Sequence, residues 1–313
     1  MKLQQLRYLV EIEDQRLNVS AAAAALFTSQ PGISQQIRLL EQELGVVLFE
    51  RSGKRLTKVT EAGQRVIAMA RRMLADARNI KRVAADFAQE TMGMLTLATT
   101  HTQARYVLPP VIGDFLRAHP GVRLHVQQGS PVQVAQWLDE GSADLGIATE
   151  ALDQNPSLVT LPCYQWSHAV VVPRDHPLDV ATPPTLAALA AYPLITYDAT
   201  FTGRSRIDRA FARAGLAPEV VLTAIDSDVI KTYVALGLGV GLIAEMAYDP
   251  ARDAGLVALP ARHLFETNTT RAGFRRDLWL RNLEFDFLSR LSPALTRAVV
   301  TAALRGEGSD AGL

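Results

Sequence analysis

The residues near the amino terminus that are best suited to chemistry are Gln30, Ser34, Gln35 and Arg38, at spacings of four, one and three. In an α-helix this spacing puts the four side chains on one face. A glutamine amide can form two hydrogen bonds with an adenine edge, and an arginine can do the same with guanine. The pattern favours a helix that reads base edges in a DNA groove. The alternative is an amphipathic helix with an ordinary solvated face.

A second group of candidates consists of four short polar clusters, each placed where a strand is expected to end. They are "TTHTQ" (99–103), "GS" (129–130), "TE" (149–150) and "FTGRS" (201–205). Open α/β sheets bind ligands at the carboxyl ends of their strands, where free N–H groups of helix starts favour an anion. The clusters therefore indicate a small-anion site made mainly of threonine hydroxyls, with Arg204 as the nearby cation. The alternative is that these hydroxyls only cap helices.

The helix that carries the first group follows two shorter helical segments. Apolar residues in 3–12 form the first stripe, and "NVSAAAAAL" (18–26) predicts a second helix. Thr28 or Ser29 can cap the third helix, Pro31 is tolerated in its first turn, and Gly45 ends it. Two short helices, a tight turn and a third helix make a helix-turn-helix. The following "VVLFERSGKRLTKVT" (46–60) predicts a β-wing tipped by Lys54 and Arg55.

Residues 60–89 form one long periodic segment with a narrow apolar stripe. Its members are Ala62, Val66, Met69, Met73, Ala77, Ile80, Ala84 and Phe87. Such a stripe needs a partner helix, so the segment is predicted to be a dimerisation helix. Residues 51–82 also carry ten basic and two acidic side chains in a chain of zero net charge. This imbalance favours a phosphate-facing surface over a merely solvated helix face.

From about residue 93 the pattern changes to strands that alternate with helices. "MLTLATT", "VRLHVQQG", "DLGIAT", "HAVVVP" and "PLITY" read as strands, with segments such as "PPVIGDFLRAH" and "DVIKTYVALG" as helices between them. This alternation predicts parallel sheets covered on both faces. About 220 residues of it are enough for two α/β lobes.

Several function classes lack support in the sequence. The single cysteine, Cys163, excludes an intramolecular disulfide and a cysteine-based zinc site. The histidines show no metal-ligand spacing, and "GVGLIA" (239–244) follows a helix and precedes a strand, the reverse of a dinucleotide fingerprint. No nucleophile, base and orienting group can be assembled. We therefore expect no enzyme activity, cofactor or metal. The absence of a signal segment and of a membrane-length apolar run favours the cytoplasm.

The segment "NVSAAAAALFTSQPGISQQIRLLEQELGVVLFERSGKRLTKVTEAG" resembles the winged helix-turn-helix signature of LysR-type transcriptional regulators. Its S-Q-P, x-Q-I, L-E-x-E-L-G, L-F-x-R and T-x-A-G elements stand in order. Later segments, among them "ATTHTQARYVLP", "IATEAL", "FTGRS" and "DVIKTYV", resemble the CysB-type branch, whose members regulate cysteine biosynthesis and sulfur assimilation. The likeness covers the whole chain. Gln35 departs from it, since many members carry Lys or Arg there.

The resemblance implies an α-rich winged helix-turn-helix and a linker helix, followed by a two-lobed effector domain of the periplasmic-binding-protein type. The implied boundaries are 1–59 for the DNA-binding domain, 60–90 for the dimerisation helix, 91–163 with 266–313 for lobe I, and 164–265 for lobe II. The chain would cross between the lobes near Cys163 and Phe265. The implied effector is a small anion: acetylated serine, sulfate or thiosulfate.

The same resemblance assigns residues to two sites. The DNA-binding positions are Gln30, Pro31, Ser34, Gln35, Arg38, Lys54 and Arg55. The effector-binding positions are Thr100, Thr102, Gln103, Thr149 and Thr202, with Trp166 beside them.

The resulting hypothesis is a ligand-gated DNA-binding protein. Its expected partners are double-stranded promoter DNA, RNA polymerase, a sulfur-pathway anion and other copies of itself, as a dimer of dimers. A regulator of alkanesulfonate and sulfate-starvation genes from the same branch is the alternative. A solute-binding protein is the competing class, because the second half alone would suit one.

Overall fold

A computed structural model describes residues 1–53, 55–87, 93–180, 183–201 and 203–307. The chain forms two compact units, Met1–Ala88 and Gln89–Leu313. Within the described ranges, no helix combines the length and the apolar character needed to cross a bilayer.

The first unit contains the three predicted helices, the wing and the long helix. Their bounds are α1 (Leu3–Asp14), α2 (Val19–Ala25), α3 (Gln30–Leu44), β1 (Phe49–Ser52), β2 (Arg55–Val59) and α4 (Glu61–Phe87). The two wing strands pair antiparallel. The winged helix-turn-helix expected from the sequence is confirmed.

The start and end of α3 follow from local chemistry. The Ser29 hydroxyl accepts a hydrogen bond from the Gly32 amide at 3.3 Å, and Pro31 lies in the first turn, where a missing N–H costs no helical bond. Gly45 ends the helix with φ of 70°, a left-handed conformation that glycine adopts without a steric penalty. Of the two capping residues considered for this helix, Ser29 is therefore the one used.

Helix α4 has two apolar stripes, whereas the sequence analysis recognised one. Ile67, Ala70 and Leu74 are buried in the core that the first unit forms with α1 and α3. The recognised stripe is largely on the outside: Met69 is 55% exposed and Ile80 70% exposed. The inner stripe fixes α4 to its own unit, which leaves the outer stripe available for another helix.

The second unit contains two five-stranded sheets. The first sheet has strands β3 (Gly93–Thr99), β4 (Val122–Gln128), β5 (Leu145–Ala148), β6 (Leu158–Trp166) and β12 (Asn268–Arg275) in the order β4-β3-β5-β12-β6. The second has β7 (His168–Pro173), β8 (Leu194–Tyr197), β9 (Val220–Ala224), β10 (Val240–Ala244) and β11 (Leu256–Pro260) in the order β11-β7-β10-β8-β9.

Seven helices accompany these sheets in the described residues. They are α5 (Leu108–Ala118), α6 (Pro131–Glu140), α7 (Leu186–Ala190), α8 (Arg204–Arg213), α9 (Ser227–Ala235), α10 (Asn282–Leu291) and α11 (Arg297–Leu304). One π-helical turn, Gln103–Val107, lies between β3 and α5. The two-lobed α/β architecture expected from the sequence is confirmed.

Both sheets are mixed, so the prediction of purely parallel sheets is wrong. Strand β12 runs antiparallel to β5 and β6, and β7 runs antiparallel to β10 and β11. The reason is the path of the chain between the sheets. Strand β6 carries the chain out of the first sheet and β12 brings it back, so the two strands run in opposite directions. The same holds for β7 and β11 in the second sheet.

The chain passes between the sheets at Ser167, which separates β6 from β7, and again between β11 and β12. Cys163, the predicted position of the first crossing, lies inside β6, and that strand continues to Trp166. Phe265 lies in the second connection, as expected. The lobes are therefore joined by two adjacent strand ends, Trp166 and Asn268, which pair with each other.

Replacing Gly63 tests the packing of α4 on the wing. A Cβ on Gly63 would lie 2.2 Å from the Leu48 carbonyl oxygen and 2.8 Å from a methyl group of Val59. We expect Gly63→Ala to destabilise the first unit by about 1–3 kcal/mol, the usual cost of overpacking a core. Hydrogen exchange of peptides from 1–87 measures the loss. The control, Gly113→Ala in α5, has nothing within 4 Å of the new Cβ and should leave stability equal or slightly higher.

Candidate functional site

The predicted DNA-contacting face of α3 is exposed. Gln30, Pro31, Gln35 and Arg38 are exposed and Ser34 is half-buried. The opposite face is packed in the core through Ile33, Ile37 and Leu40. The helix thus offers amide, hydroxyl and guanidinium groups to a partner without disturbing its own packing.

A groove of about 760 Å³ connects the start of α3 with the wing. Its lining includes Gln30 from α3, Arg55 and Ser52 from the wing, Arg16 from the turn between α1 and α2, and Ser20 from α2. This places two guanidinium groups beside the base-reading face. The other predicted wing cation, Lys54, lies outside the described residues.

The basic run from 51 to 82 is less available to phosphate than its composition suggests. Arg51 binds Glu41 at 2.7 Å, and Arg65 binds Glu61 at 2.8 Å. Arg71 binds Glu13 at 3.1 Å and also contacts Asp14. Three of the ten basic side chains are therefore committed to ion pairs inside the first unit, a use that charge counting alone does not reveal.

In the second unit, two of the predicted effector residues have buried hydroxyl groups with nothing to bind. Thr100 follows β3 and Thr149 follows β5, and these strands are parallel neighbours. Thr99 pairs with Ile147, so the two threonines leave the sheet side by side. Both are almost fully buried, and neither hydroxyl has a hydrogen-bond partner among the described residues. Leaving a buried hydroxyl unpaired costs about 1–3 kcal/mol, so this is where a ligand gains most.

Two other predicted residues, Gln103 and Trp166, are already hydrogen-bonded. The Gln103 amide donates to the Thr270 hydroxyl at 3.3 Å and accepts from the Tyr164 phenol. The Trp166 indole donates to the same Thr270 hydroxyl at 3.1 Å. Gln103, Trp166, Thr270 and Tyr164 thus form one connected group of hydrogen bonds.

The remaining residues of the polar clusters have other roles. Ser130 accepts from the Gln133 amide at 3.3 Å and caps α6, so the capping alternative is correct for this cluster. Thr102 is buried. Burial raises the pKa of the Tyr197 phenol in the second sheet, and the Thr102 hydroxyl acts to lower it. Thr202 lies outside the described residues.

Arg204 does not serve as the free cation that the sequence analysis expected. Its guanidinium donates to the Tyr197 carbonyl and to the Asp208 carboxylate, each at 2.7 Å. It therefore braces the start of α8.

A group around Asp228 links the two lobes. Its carboxylate accepts from the Tyr106 phenol at 2.7 Å and from Arg105 at 3.2 Å, both in the π-helical turn of the first lobe. Lys231 lies 3.4 Å away in α9. Burial raises the pKa of Asp228, but the Tyr106 hydrogen bond and the Lys231 and Arg105 charges outweigh it and hold the pKa below the ordinary 3.8. The link is therefore charged at neutral pH.

The group with metal-ligand spacing in the described residues is His101, Asp226 and Asp228, whose ligand atoms lie within 4.8 Å of one another. Asp226 already accepts from the Val229 amide at 2.8 Å as the cap of α9. Asp228 is bound to Tyr106 and Arg105. The three side chains fit a polar contact between lobes better than a metal site.

Cys163 is a buried, free cysteine inside β6. Burial raises the pKa of its thiol to about 12, so the reactive thiolate is absent at neutral pH.

Sequence reasoning missed Thr270, Tyr164, Tyr106 and Asp228. Thr270 belongs to "NTTR" (268–271), a polar run that opens a strand, which is a usable signal once β12 is recognised. Tyr106 and Asp228 are more than a hundred residues apart in the chain. Their contact depends on how the lobes meet, which no local pattern encodes.

The two halves of the chain match two family models. Residues 3–64 match the bacterial regulatory helix-turn-helix protein of the lysR family, and residues 88–295 match the LysR substrate binding domain. The chain belongs to the LysR family of transcriptional regulators. A solute-binding protein would leave the first match unexplained, so that class is not favoured.

Similar proteins narrow the position within the family. The chain is 54% identical to the HTH-type transcriptional regulator SsuR of Burkholderia cenocepacia, with 97% of this chain and 99% of the relative covered. It is 50% identical to CysB of the same organism, with 99% of each covered. The crystal structure of the cofactor-binding domain of the Cbl transcriptional regulator superposes with a TM-score of 0.66 at 49% identity, over 69% of this chain and 94% of that one. The predicted CysB-type resemblance is confirmed.

Removing the Tyr106 hydroxyl tests the link between the lobes. Tyr106→Phe deletes the hydrogen bond to Asp228 and should destabilise the second unit by about 1.5–3 kcal/mol, the range for bonds to charged groups. Urea unfolding followed by tryptophan fluorescence reports on this unit, because Trp137, Trp166 and Trp279 all lie in it.

The matched control is Tyr192→Phe, whose hydroxyl has no hydrogen bond recorded within the described part of the chain. It should stay within about 0.5 kcal/mol of the wild type. Because the pKa of Asp228 is depressed in the folded state, the Tyr106 effect is present at neutral pH and fades only as pH falls below 3.8. An equal loss in both variants would contradict the assignment.

Proposed function

We propose that this protein is a ligand-responsive regulator of sulfur assimilation and cysteine biosynthesis genes. It acts in the cytoplasm, binds promoter DNA and a small anionic effector, and catalyses no reaction. The observation that carries the effector half is the pair of buried, unpaired hydroxyls on Thr100 and Thr149. The similarity to CysB, SsuR and Cbl along nearly the whole chain supports the sulfur assignment.

In the DNA-binding half, α3 enters the major groove and the wing contacts the flanking backbone. Gln30, Ser34, Gln35 and Arg38 face the base edges, and Pro31 shapes the first turn. Arg55 and Lys54 bind phosphates or the minor groove. Gln35 can pair with adenine where a basic residue would favour guanine, so the preferred operator differs at that position from that of relatives with Lys or Arg.

Phe27 is an additional candidate for this surface. It is 98% exposed with φ of 50°, in the turn that immediately precedes the cap of α3. An aromatic ring there can contact a thymine methyl or a sugar.

Assembly uses the outer stripe of α4. Met69, Met73 and Ile80 are each at least 41% exposed, and pairing two copies of α4 would bury them. A pair of chains places two α3 helices one turn of DNA apart or a multiple of it, and two pairs bend the DNA between their sites.

The effector binds between the lobes, against Thr100, Thr149 and Thr202. Thr102, Gln103 and Trp166 complete the effector site, and the last two are held in place by their hydrogen bonds to Thr270. A ligand that prefers one lobe arrangement shifts the population of subunit packings, and with it the DNA bend and the contact with RNA polymerase. The response can be no larger than the difference in affinity between the arrangements.

A regulator of alkanesulfonate and sulfate-starvation genes is the second candidate. The 54% identity to SsuR favours it, against 50% to CysB. Both candidates use the same helix face and cleft and differ in target promoters.

Replacing Arg55 tests the wing. If its guanidinium contacts a phosphate, Arg55→Ala reduces the slope of log affinity against log salt by about 0.9 per contact, for all sequences alike. Binding to promoter DNA at several salt concentrations gives the slope. The control, Arg65→Ala, removes an equally exposed charge that is paired with Glu61. Equal slopes for Arg55→Ala and the wild type would remove the wing from the interface.

Replacing Thr149 tests the cleft. Thr149→Val keeps the shape and removes the unpaired hydroxyl, so it should leave DNA affinity intact and raise stability by about 1–3 kcal/mol, while the response to thiosulfate or acetylated serine is lost. Mobility shifts with and without each ligand measure this response, with Thr301→Val in α11 as the control. A normal ligand response in Thr149→Val would refute the cleft assignment.

A further inference from the structure

His168 and Asn268 form a second polar group, distinct from the threonine pair. They lie where the two strand ends connect the lobes, which we call the hinge. Both side chains are fully buried. Neither ring nitrogen of His168 and neither polar atom of the Asn268 amide has a hydrogen-bond partner in the described ranges. Buried polar side chains in proteins are almost always paired, so four unpaired atoms in two neighbouring residues call for an explanation.

Both side chains pack against the same glycine. A Cβ built on Gly203 would lie 2.4 Å from His168 Nε2 and 3.2 Å from Asn268 Oδ1, so only a glycine leaves room for them. Gly203 is the residue before α8, a helix of ten residues that no side chain caps among the described residues. The two unpaired side chains therefore meet at the start of this helix.

Asn268 continues a row of polar side chains that runs along β12 from the position of Thr149. Arg271 pairs with Ala148, so Thr270 is the next residue along β12 toward Thr149. Asn268 is two residues beyond Thr270, on the same face of β12. Its strand partner is Trp166. The ring centroids of Trp166 and Phe265 lie 5.2 and 5.5 Å from the ring centroid of His168. The hinge end of the cleft is therefore polar at two residues and aromatic around them.

The charges at this end select a neutral group. Burial and the nearby Arg206 charge lower the pKa of His168 to about 3, so its ring is neutral and carries one donor and one acceptor. The Asn268 amide also offers both. An amide group has one N–H donor and one carbonyl acceptor, which can pair with a neutral imidazole and a carboxamide together.

We propose that His168 and Asn268 bind the neutral amide end of an organic effector whose anionic end is held by Thr100 and Thr149. This inference rests on the proposed effector function and assigns two residues to it that the sequence analysis did not single out. An inorganic oxyanion fills only the threonine end. The two residues therefore set selectivity between organic and inorganic effectors. They lie beside the two strand ends that connect the lobes.

The test compares two probes by calorimetry on the full chain: thiosulfate, which lacks an amide, and N-acetylserine, which has one. In Asn268→Leu and in His168→Phe, affinity for N-acetylserine should fall at least tenfold, while thiosulfate affinity stays within about twofold. His168→Gln, which keeps a donor and an acceptor, is the matched control and should retain affinity for both probes within about threefold. Thiosulfate binding also shows that each variant is folded.

Two results would overturn the proposal. If Asn268→Leu and His168→Phe both keep the wild-type affinity for N-acetylserine, the four unpaired atoms of His168 and Asn268 bind only water. Equal losses for both probes would mean that the residues belong to the anion site itself. A wild-type protein that binds neither probe would instead refute the effector function on which this inference rests, whereas retained thiosulfate binding with no N-acetylserine binding would refute the hinge assignment alone.

Discussion

The proposed response to a ligand depends on two threonine hydroxyls that the fold buries and leaves unpaired within the described residues. Thr100 and Thr149 sit at the ends of adjacent parallel strands, where the chain turns into helical structure. Two other predicted effector residues, Gln103 and Trp166, are hydrogen-bonded to Thr270 instead. The resulting cost, about 1–3 kcal/mol for each hydroxyl, is recovered when a ligand with acceptor or donor atoms enters. Under the proposed function, the folded chain therefore favours ligand binding at these two hydroxyls.

The lobes are held together by contacts of a different kind, which explains how binding can alter assembly. Asp228 joins them through hydrogen bonds from Tyr106 and Arg105. The covalent connections are two adjacent strand ends that pair with each other. Under the proposed function, this narrow connection with a charged link on one side would allow a second arrangement of the lobes. A ligand that bridges the lobes biases the choice between them by its differential affinity.

The sequence predicts the parts of this protein that depend on neighbouring residues. The cap at Ser29, the stop at Gly45 and the wing follow from local rules, and so do Thr100 and Thr149 at their strand ends. The mixed sheets escaped prediction because their direction is set by where the chain enters and leaves each lobe. The hydrogen bonds of Gln103 to Tyr164 and Thr270 also escaped prediction, because these partners come from distant parts of the chain. Arg51 and Arg71 looked like phosphate contacts, but they bind carboxylates from elsewhere in the same unit.

The central claim is that occupancy of the threonine-lined cleft changes how α3 and the wing engage DNA. The most direct measurement is a footprint of the full-length protein on a sulfur-assimilation promoter, with and without a ligand that calorimetry shows to bind. We expect saturating ligand to change the region of DNA that the protein protects, or the hypersensitive sites that DNA bending creates. An identical footprint at full occupancy would contradict it.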